Sequence, residues 1–483
     1  MTRAMAHLNM RASLAGLAAR LAFLLAAFLL AGCAGFSPDG GMAVVADIAG
    51  AELNKDVVAL RAPEDAEIAR DTVKRLLRRP LTAEAAVQIA LLNNRDLQAA
   101  YNALGLSEAA LVKASLPPNP TFSISDIAGG GAFEVERTVV VSILALATLP
   151  ARAEIAGDRF HQAQLMAALE TLRVAVQTRR AYYNAVAARA LVGFLEQAQS
   201  SAEAASQLAH RLGETGAMNK LDQARDQVFY AELTAQLATA RERATGERER
   251  LTRLLGLWGG DLAFRLPDSL PALPRRPQAL PAVEIEAVKR RLDLQIARIE
   301  LDRRAKVYGL TQATRFIDLA EVAGISKTMQ EPGGPRFNEL GAGVELQIPL
   351  FDFGAVRVRR AEETYMQAVN RLTAKAVEAR SQARKAYQSY RSRYDIARHY
   401  QREVLPLRKI ISDEMLLRYN AMQIDVFALL AEARARIAST VAGIEAQRDF
   451  WLADTDLSAV IVGGPPPSTD QTTTSSTLRN RDQ

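Results

Sequence analysis

Two long stretches of this 483-residue chain are nearly free of proline. No proline occurs between Pro150 and Pro267, and Pro406 is the only one between Pro349 and Pro465. Proline lacks a backbone N–H and breaks helix interiors, so such gaps permit very long helices. We therefore predict a helix-rich chain whose helices exceed the length that a globular core needs.

Apolar and small residues recur within these stretches at a mean spacing near 3.5 residues, which is typical of left-handed coiled packing. The first series is Leu191, Ala198, Ala205 and Leu212. The second series is Val426, Leu430, Ala433, Ile437, Thr440 and Ile444. A helix from about Ala151 to Leu212 would be roughly 90 Å long at a rise of about 1.5 Å per residue.

Strand-like segments interrupt the helices twice in each half of the chain. In the first half, Thr121–Ser125 alternates and Arg137–Leu146 is an apolar, β-branched run. In the second half, Arg315–Val322 is a weaker candidate and Leu340–Ile348 alternates cleanly. Gly-containing loops lie between the members of each pair, at residues 129–131 and 331–334. Most of these segments approach the length of a tilted membrane strand, although a soluble β-domain on a helical stalk fits the pattern as well.

Four strands cannot close a transmembrane barrel, because an open sheet edge is not tolerated in lipid and eight strands is the smallest barrel. Two copies of the chain would supply eight strands, whose interior fills with side chains, whereas three copies would supply twelve and leave room for a channel. If the strands form a pore, the sequence favours a trimer.

The body of the chain is internally duplicated. The segment Asp96-Leu97-Gln98 recurs as Asp293-Leu294-Gln295, an offset of 197 residues. Farther along, Ala181-Tyr182 recurs as Ala386-Tyr387 at an offset of 205, and the segment from Arg211 matches the segment from Arg418 at 207. A slowly drifting offset is typical of a duplicated unit with small insertions. The predicted domains are a lipoprotein signal peptide (1–32), an acylated N-terminal segment and linker (33–79), a first helix-strand-strand-helix repeat (80–266), a linker (267–281), a second repeat (282–463) and a disordered tail (464–483).

The only cysteine lies at the end of an export signal. Three arginines precede the ten-residue apolar run Leu21–Leu30, which is too short to span a bilayer but suits a signal peptide. The run leads into Leu30-Ala31-Gly32-Cys33, which resembles the lipobox of bacterial lipoproteins. That resemblance implies cleavage between Gly32 and Cys33 and a covalent lipid, including palmitate, on the Cys33 thiol. An ordinary secretory signal that contains a cysteine is the alternative.

Composition leaves little room for enzyme chemistry. One cysteine excludes a disulfide framework and a Cys-cluster metal site, and the four histidines are scattered. A net charge of +6 spread along the chain is no nucleic-acid footprint. We expect no enzymatic activity, no metal, no cofactor and no nucleic-acid partner. The helical tyrosines are expected to be packing residues: Tyr182, Tyr183, Tyr387 and Tyr390.

The layout of residues 80–460 resembles the TolC family of outer-membrane efflux proteins, in its lipoprotein branch. The resemblance depends on the lipobox at Cys33, the duplication and the opening segment Leu81–Leu97. It also depends on Pro349-Leu350-Phe351-Asp352-Phe353-Gly354 at a strand-to-helix junction and on Arg418-Tyr419-Asn420-Ala421-Met422 near a hairpin turn. It implies a homotrimer with a twelve-stranded β-barrel in the outer membrane of a Gram-negative bacterium and a long α-barrel across the periplasm. The partners it implies are a periplasmic adaptor protein and an inner-membrane pump.

The resemblance also implies that two helical hairpins end at the periplasmic tip, near residues 213–218 and 419–422. Acidic side chains near such tips narrow the closed pore in the family. The residues it assigns to the tip or gate are Gly213, Gly216, Asp222, Tyr419, Asn420 and Asp425. Asn420 stands where the family commonly has glycine, and asparagine is the next-best residue for a left-handed turn. Either carboxylate could instead cap the start of a helix.

Two other functions share parts of this pattern. A periplasmic structural or adaptor lipoprotein would also contain coiled-coil hairpins, although the duplicated helix-strand-strand-helix order does not fit an adaptor. A type I protein-secretion exit channel would share the whole fold. The sequence does not identify the transported substrate.

Overall fold

A computed structural model describes residues 35–463. Cys33, the predicted signal peptide and the predicted tail lie outside the described residues. The described chain is mainly α-helical with four strands, which confirms the predicted fold class. The strands are β1 Thr121–Gly129, β2 Ala132–Ser142, β3 Leu319–Gln330 and β4 Arg336–Gln347. The α-helices are α1 Met42–Val45, α2 Ala51–Leu53, α3 Pro63–Leu77, α4 Ala83–Asn93, α5 Arg95–Ser115, α6 Ile143–Ala147, α7 Leu149–Glu214, α8 Lys220–Leu255, α9 Val283–Arg290, α10 Leu292–Ala313, α11 Ala355–His399, α12 Leu405–Asn420 and α13 Val426–Val462.

The described chain divides into two units. The first contains the sheet and the helical segments that lead into and out of it, in residues 35–41, 102–164 and 297–372. The second contains the remaining helices and the proline-rich linker, in residues 42–101, 165–296 and 373–463.

The four strands form one antiparallel sheet in the order β1-β2-β3-β4. The β1–β2 turn uses Gly130 and Gly131, both with positive φ. Pairing of β2 with β3 places Phe133 opposite Gln330 and so joins the two halves of the duplicated chain. In the described part of the chain, β1 and β4 have no strand on their outer edges.

Two strand boundaries in the first half differ from the sequence prediction. β1 continues past Ser125 to Gly129, because its polar end pairs with β2. β2 ends at Ser142 rather than at Leu146. The Ser142 hydroxyl accepts a hydrogen bond from the Ala145 amide at 3.4 Å and starts the short helix α6, so the apolar run changes from strand to helix at that serine.

The boundaries in the second half also move. The prediction of a strand from Arg315 was wrong, because α10 continues to Ala313 and is followed by a turn that extends to Ile317. β3 then runs from Leu319 to Gln330, and small residues such as Gly324 obscure its alternation. β4 begins at Arg336, which lies opposite Gln330.

The proline-free stretches form long helices as predicted. α7 contains 66 residues and includes the whole predicted span from Ala151 to Leu212. In the second half, Pro406 lies in the first turn of α12, directly after a π-helical turn at Tyr400–Val404. Because proline cannot donate the helical hydrogen bond, the helix is continuous to His399 and changes its winding there.

The seam of the first hairpin has the predicted seven-residue spacing but a different register. Leu195, Ala202 and Ala209 are the buried positions of α7. Ala205, which the sequence placed on the seam, is exposed. The buried alanines face larger residues of α8, so α8 supplies the bulk of the contact: Phe229, Leu233 and Leu237.

The linker of the second unit is fixed by tyrosine hydroxyls. Tyr390 accepts a hydrogen bond from the Gln278 amide at 3.0 Å, and Tyr387 accepts one from the Leu280 amide at 3.3 Å. Tyr182 of α7 donates to the Leu81 carbonyl at 3.0 Å. Tyr183 stacks on Trp451 with ring centres 5.4 Å apart. These contacts confirm the prediction that the four helical tyrosines are packing residues.

Candidate functional site

The sheet has two chemically different faces. Directly opposed residues of neighbouring strands share a face, so the register assigns every side chain. One face is largely apolar and strongly exposed, with Leu340 90% accessible to solvent. Its apolar members are Phe122, Ile124, Val135, Val139, Val141, Val322, Leu340, Val344 and Leu346. An exposed apolar surface of this extent marks contact with a membrane or another protein.

The opposite face is acidic. Its carboxylates are Glu134, Glu136, Glu321, Glu339 and Glu345. Among the strand residues, all of which the structure describes, Lys327 is the one basic residue on this face. Its ammonium lies 2.7 Å from Glu134 Oε1. Since four carboxylates have no such partner in this face, the face carries a net negative charge.

Glu321 and Glu345 lie directly opposite each other on β3 and β4. Opposed like charges destabilise a strand pair, so the sheet tolerates a local cost at this position. Such a pair is stable only where water or mobile cations can screen it.

The strand-to-helix junction after β4 depends on Gly354. Its φ of +71° is left-handed, and a Cβ at this position would lie 2.1 Å from the Arg315 carbonyl oxygen. Asp352 accepts hydrogen bonds from the amides of Gly354 and Val356, which starts α11. The motif Pro349–Gly354 therefore makes a close crossing of the chain that only glycine permits.

The first hairpin turn joins α7 to α8. Gly216 has a φ of +77°, and the Leu212 carbonyl accepts hydrogen bonds from the amides of Ala217 and Met218. Gly213 lies within the last turn of α7. The side chain of Asn219 caps α8 by accepting a hydrogen bond from the Asp222 amide at 2.9 Å.

The second hairpin turn joins α12 to α13 and has the same design. Met422 has a φ of +57°, and the Arg418 carbonyl accepts a hydrogen bond from the Gln423 amide at 2.9 Å. Asp425 caps α13 through the Ala428 amide at 2.9 Å. Tyr419 and Asn420 lie in the last turn of α12.

Superposing the two turns by their hydrogen bonds corrects the sequence register at the tips. Gly216 corresponds to Met422 and Asn219 to Asp425, an offset of 206 residues. The expectation of a left-handed Asn420 was wrong, because the left-handed position falls two residues later, at Met422. Asp222 and Asp425 are also not equivalent, since Asp425 is a helix cap and Asp222 follows its own cap, Asn219.

The two hairpins lie side by side within the second unit. The Arg225 guanidinium lies 4.6 Å from the ring centre of Phe427, and Arg434 lies 5.2 Å from that of Phe229. The structure thus places the starts of α8 and α13 together, and with them Asp222 and Asp425.

A pair of buried acidic residues near these turns escaped the sequence analysis. Asp226 and Glu432 are each more than 90% buried and lie 206 residues apart, so they occupy equivalent positions. Glu432 Oε2 accepts a hydrogen bond from Arg408 Nη1 at 3.0 Å. The residue equivalent to Arg408 in the first hairpin is Ala202, which cannot pair with Asp226. Asp226 Oδ2 has no hydrogen-bond partner among the described residues, and burial raises the pKa of this carboxyl.

Comparison with known proteins identifies the family. The family model described as "Outer membrane efflux protein" matches residues 285–412, which contain β3, β4 and most of the helices on either side. The chain belongs to the outer membrane efflux protein family. The efflux protein is 26% identical over 310 residues to the cobalt-zinc-cadmium resistance protein CzcC of Cupriavidus metallidurans, covering 59% of this chain and 69% of CzcC.

Solved structures show the same fold for the efflux protein. CusC, whose crystal structures concern transmembrane channel formation, matches with a TM-score of 0.65 at 16% identity, covering 79% of this chain and 92% of CusC. The open-state MtrE outer membrane channel of Neisseria gonorrhoeae matches with a TM-score of 0.64 at 16% identity, covering 81% of this chain and 90% of MtrE.

The family relationship confirms that the efflux protein is not an enzyme. Within residues 35–463, no cluster of His, Cys, Asp or Glu side chains is arranged to hold a metal ion. No helix of the described chain combines the length and the apolar character needed to cross a lipid bilayer.

Proposed function

We propose that the protein is the outer-membrane exit duct of a tripartite efflux system. Three copies would each contribute four strands to a closed twelve-stranded barrel. The observation that supports this most directly is the open four-stranded sheet with one apolar and one acidic face. An apolar face suits lipid, a charged face suits a water-filled lumen, and both open edges require strands from further copies.

The long helices supply the periplasmic part of this duct. Paired helices such as α7 and α8 form the hairpins that would meet a periplasmic adaptor protein, which connects the duct to an inner-membrane pump. We propose that the hairpin turns are the periplasmic tip. Gly213, Gly216, Asp222, Tyr419, Asn420 and Asp425 would then surround its opening.

Divalent metal cations are the substrate class that we propose first. The relative CzcC is named for resistance to cobalt, zinc and cadmium, and the acidic sheet face would favour cations over anions in a lumen. Deleting the gene should lower tolerance to Co²⁺, Zn²⁺ or Cd²⁺, and wild-type tolerance to all three metals would contradict this substrate class.

We further propose that Cys33 carries a covalent lipid after cleavage between Gly32 and Cys33. Two or three acyl chains would hold the N-terminus to the membrane. Labelling with radioactive palmitate should mark the wild-type chain and leave a Cys33→Ser variant unlabelled.

The duct itself is tested by electrical recording. Purified full-length protein added to a planar lipid bilayer should produce stepwise conductance increases. Conductance that is absent from correctly folded protein, as judged by its helical circular dichroism, would contradict the channel proposal.

A further inference from the structure

A groove in the first unit has an unusual concentration of arginines. It lies between α10 and α11 and has a volume of about 370 Å³. Arg304, Arg357 and Arg360 line it together with Thr311 and the apolar side chains of Val307 and Leu310. None of the described residues that line the groove is acidic.

The three arginines differ in how much of their charge is neutralised. Arg357 donates to the carbonyls of Thr314 and Arg315 and pairs with Asp318 at 2.6 Å. Arg304 shares the Glu300 carboxylate with Arg303, so one negative charge serves two guanidinium groups.

Arg360 has no hydrogen-bond or ion-pair partner for its guanidinium among residues 35–463. The groove therefore carries uncompensated positive charge, because one of its arginines is unpaired and another shares its counter-charge.

The groove adjoins the end of the apolar sheet face. The Asp318 amide donates to the Gln347 carbonyl and so extends β3 backwards. Asp318 lies two and four residues before Ala320 and Val322, which places it on the same face as Val322, the apolar one. Its partner Arg357 thus marks where that face meets the groove.

An exposed apolar segment follows β4 at the same level. Leu350, Phe351 and Phe353 are all exposed, and Phe351 is fully accessible to solvent. Aromatic residues next to a basic groove are typical of the boundary between lipid acyl chains and headgroups.

We propose that this groove binds the phosphate group of an anionic phospholipid. The assignment rests on the proposed function, which places the apolar face in the outer membrane. Guanidinium groups form charge-assisted hydrogen bonds to phosphate, and Thr311 can donate a further one. Val307 and Leu310 provide contact for the first carbons of the acyl chains. The charge of the groove and its continuity with the apolar face select a lipid over a soluble partner.

Native mass spectrometry of the full-length protein in detergent tests this site. Phosphatidylglycerol should bind more tightly than phosphatidylcholine with the same acyl chains. Arg360→Gln should weaken phosphatidylglycerol binding about fivefold, since a basic residue near anionic headgroups contributes on the order of 1 kcal/mol. Arg360→Lys, which keeps the charge, should lose less.

Arg371→Gln is the matched control, because Arg371 is exposed on the same helix and lies outside the groove. Equal binding of the two lipids, an equal loss in Arg371→Gln, or displacement of phosphatidylglycerol by inorganic phosphate would each overturn the assignment. Conductance recordings on the same samples separate the two proposals. A conducting protein whose Arg360→Gln variant binds lipid normally refutes only the lipid site, whereas a folded but non-conducting wild type refutes the channel.

Discussion

Arg408 and Glu432 form an ion pair across the second helical hairpin, with Arg408 Nη1 3.0 Å from Glu432 Oε2. Glu432 is buried, whereas Arg408 is a third exposed. Arg408 also donates to Ser439 Oγ at 3.2 Å, so its guanidinium bridges α12 to two turns of α13. This contact has no counterpart in the first hairpin, where Ala202 occupies the equivalent position.

Arg408→Gln should therefore destabilise the second hairpin. Removing the cation leaves the Glu432 carboxylate buried and poorly compensated, at a cost of about 1–3 kcal/mol. Thermal unfolding followed by helical circular dichroism in detergent measures the loss. Arg436→Gln removes an exposed arginine of α13 and should leave the melting temperature nearly unchanged. Equal effects of the two variants would contradict this role for Arg408.

Asp226→Asn should stabilise the first hairpin at neutral pH. Burial raises the pKa of Asp226 in the folded state, so the ionised form costs stability above that raised pKa. As the pH falls through the raised value towards the ordinary value of about 4, the wild type gains a proton and the cost disappears. The advantage of the variant should shrink over the same pH interval.

The matched control for this effect is Asp222→Asn, the same change one turn earlier at an exposed site. Its stability difference from wild type should not follow the Asp226 pattern with pH. A constant advantage of Asp226→Asn from pH 7 down to pH 4 would show that the carboxylate charge is not the cause.

Met422→Gly should stabilise the second hairpin turn by about 0.5–1 kcal/mol. A non-glycine residue in the left-handed region costs roughly 1–2 kcal/mol, of which the flexibility of glycine in the unfolded chain cancels a part. Gly216→Ala, at the equivalent position of the first turn, should have the opposite sign. Denaturation curves of both variants measure the two effects, and shifts of the same sign would contradict the equivalence of the turns.

Neutralising the opposed pair Glu321 and Glu345 should reduce the cation preference of the channel. Both carboxylates belong to the acidic sheet face, which would line the lumen in the proposed trimer. Reversal potentials under a KCl gradient should move towards zero in Glu321→Gln/Glu345→Gln. Asp126→Asn, on the opposite face, should leave the reversal potential unchanged. A shift in the control alone would reverse our assignment of the faces.

Local features of this fold were predictable from the sequence, because they depend on neighbouring residues. The proline gaps predicted α7 almost to its ends, and the motif before Gly354 marked the junction that the structure shows. Ser142 ended β2 early because a hydroxyl cap outweighed an apolar run that also suited a strand.

Features that depend on distant pairing were not predictable. The register of β2 against β3 joins residues almost 200 positions apart, and only that register separates the apolar face from the acidic one. The buried Asp226 could have been found by aligning the repeats at an offset of 206, but the sequence register at the tips was one residue off. Burial of that carboxylate depends on packing against α7, which no local pattern indicates.

The stoichiometry of the membrane-extracted protein tests the central claim most directly. Native mass spectrometry in mild detergent should show a single species with the mass of three chains, because only three copies close a twelve-stranded barrel around an open lumen. A monomer or dimer that retains its helical circular dichroism would contradict the channel, since neither encloses an open lumen.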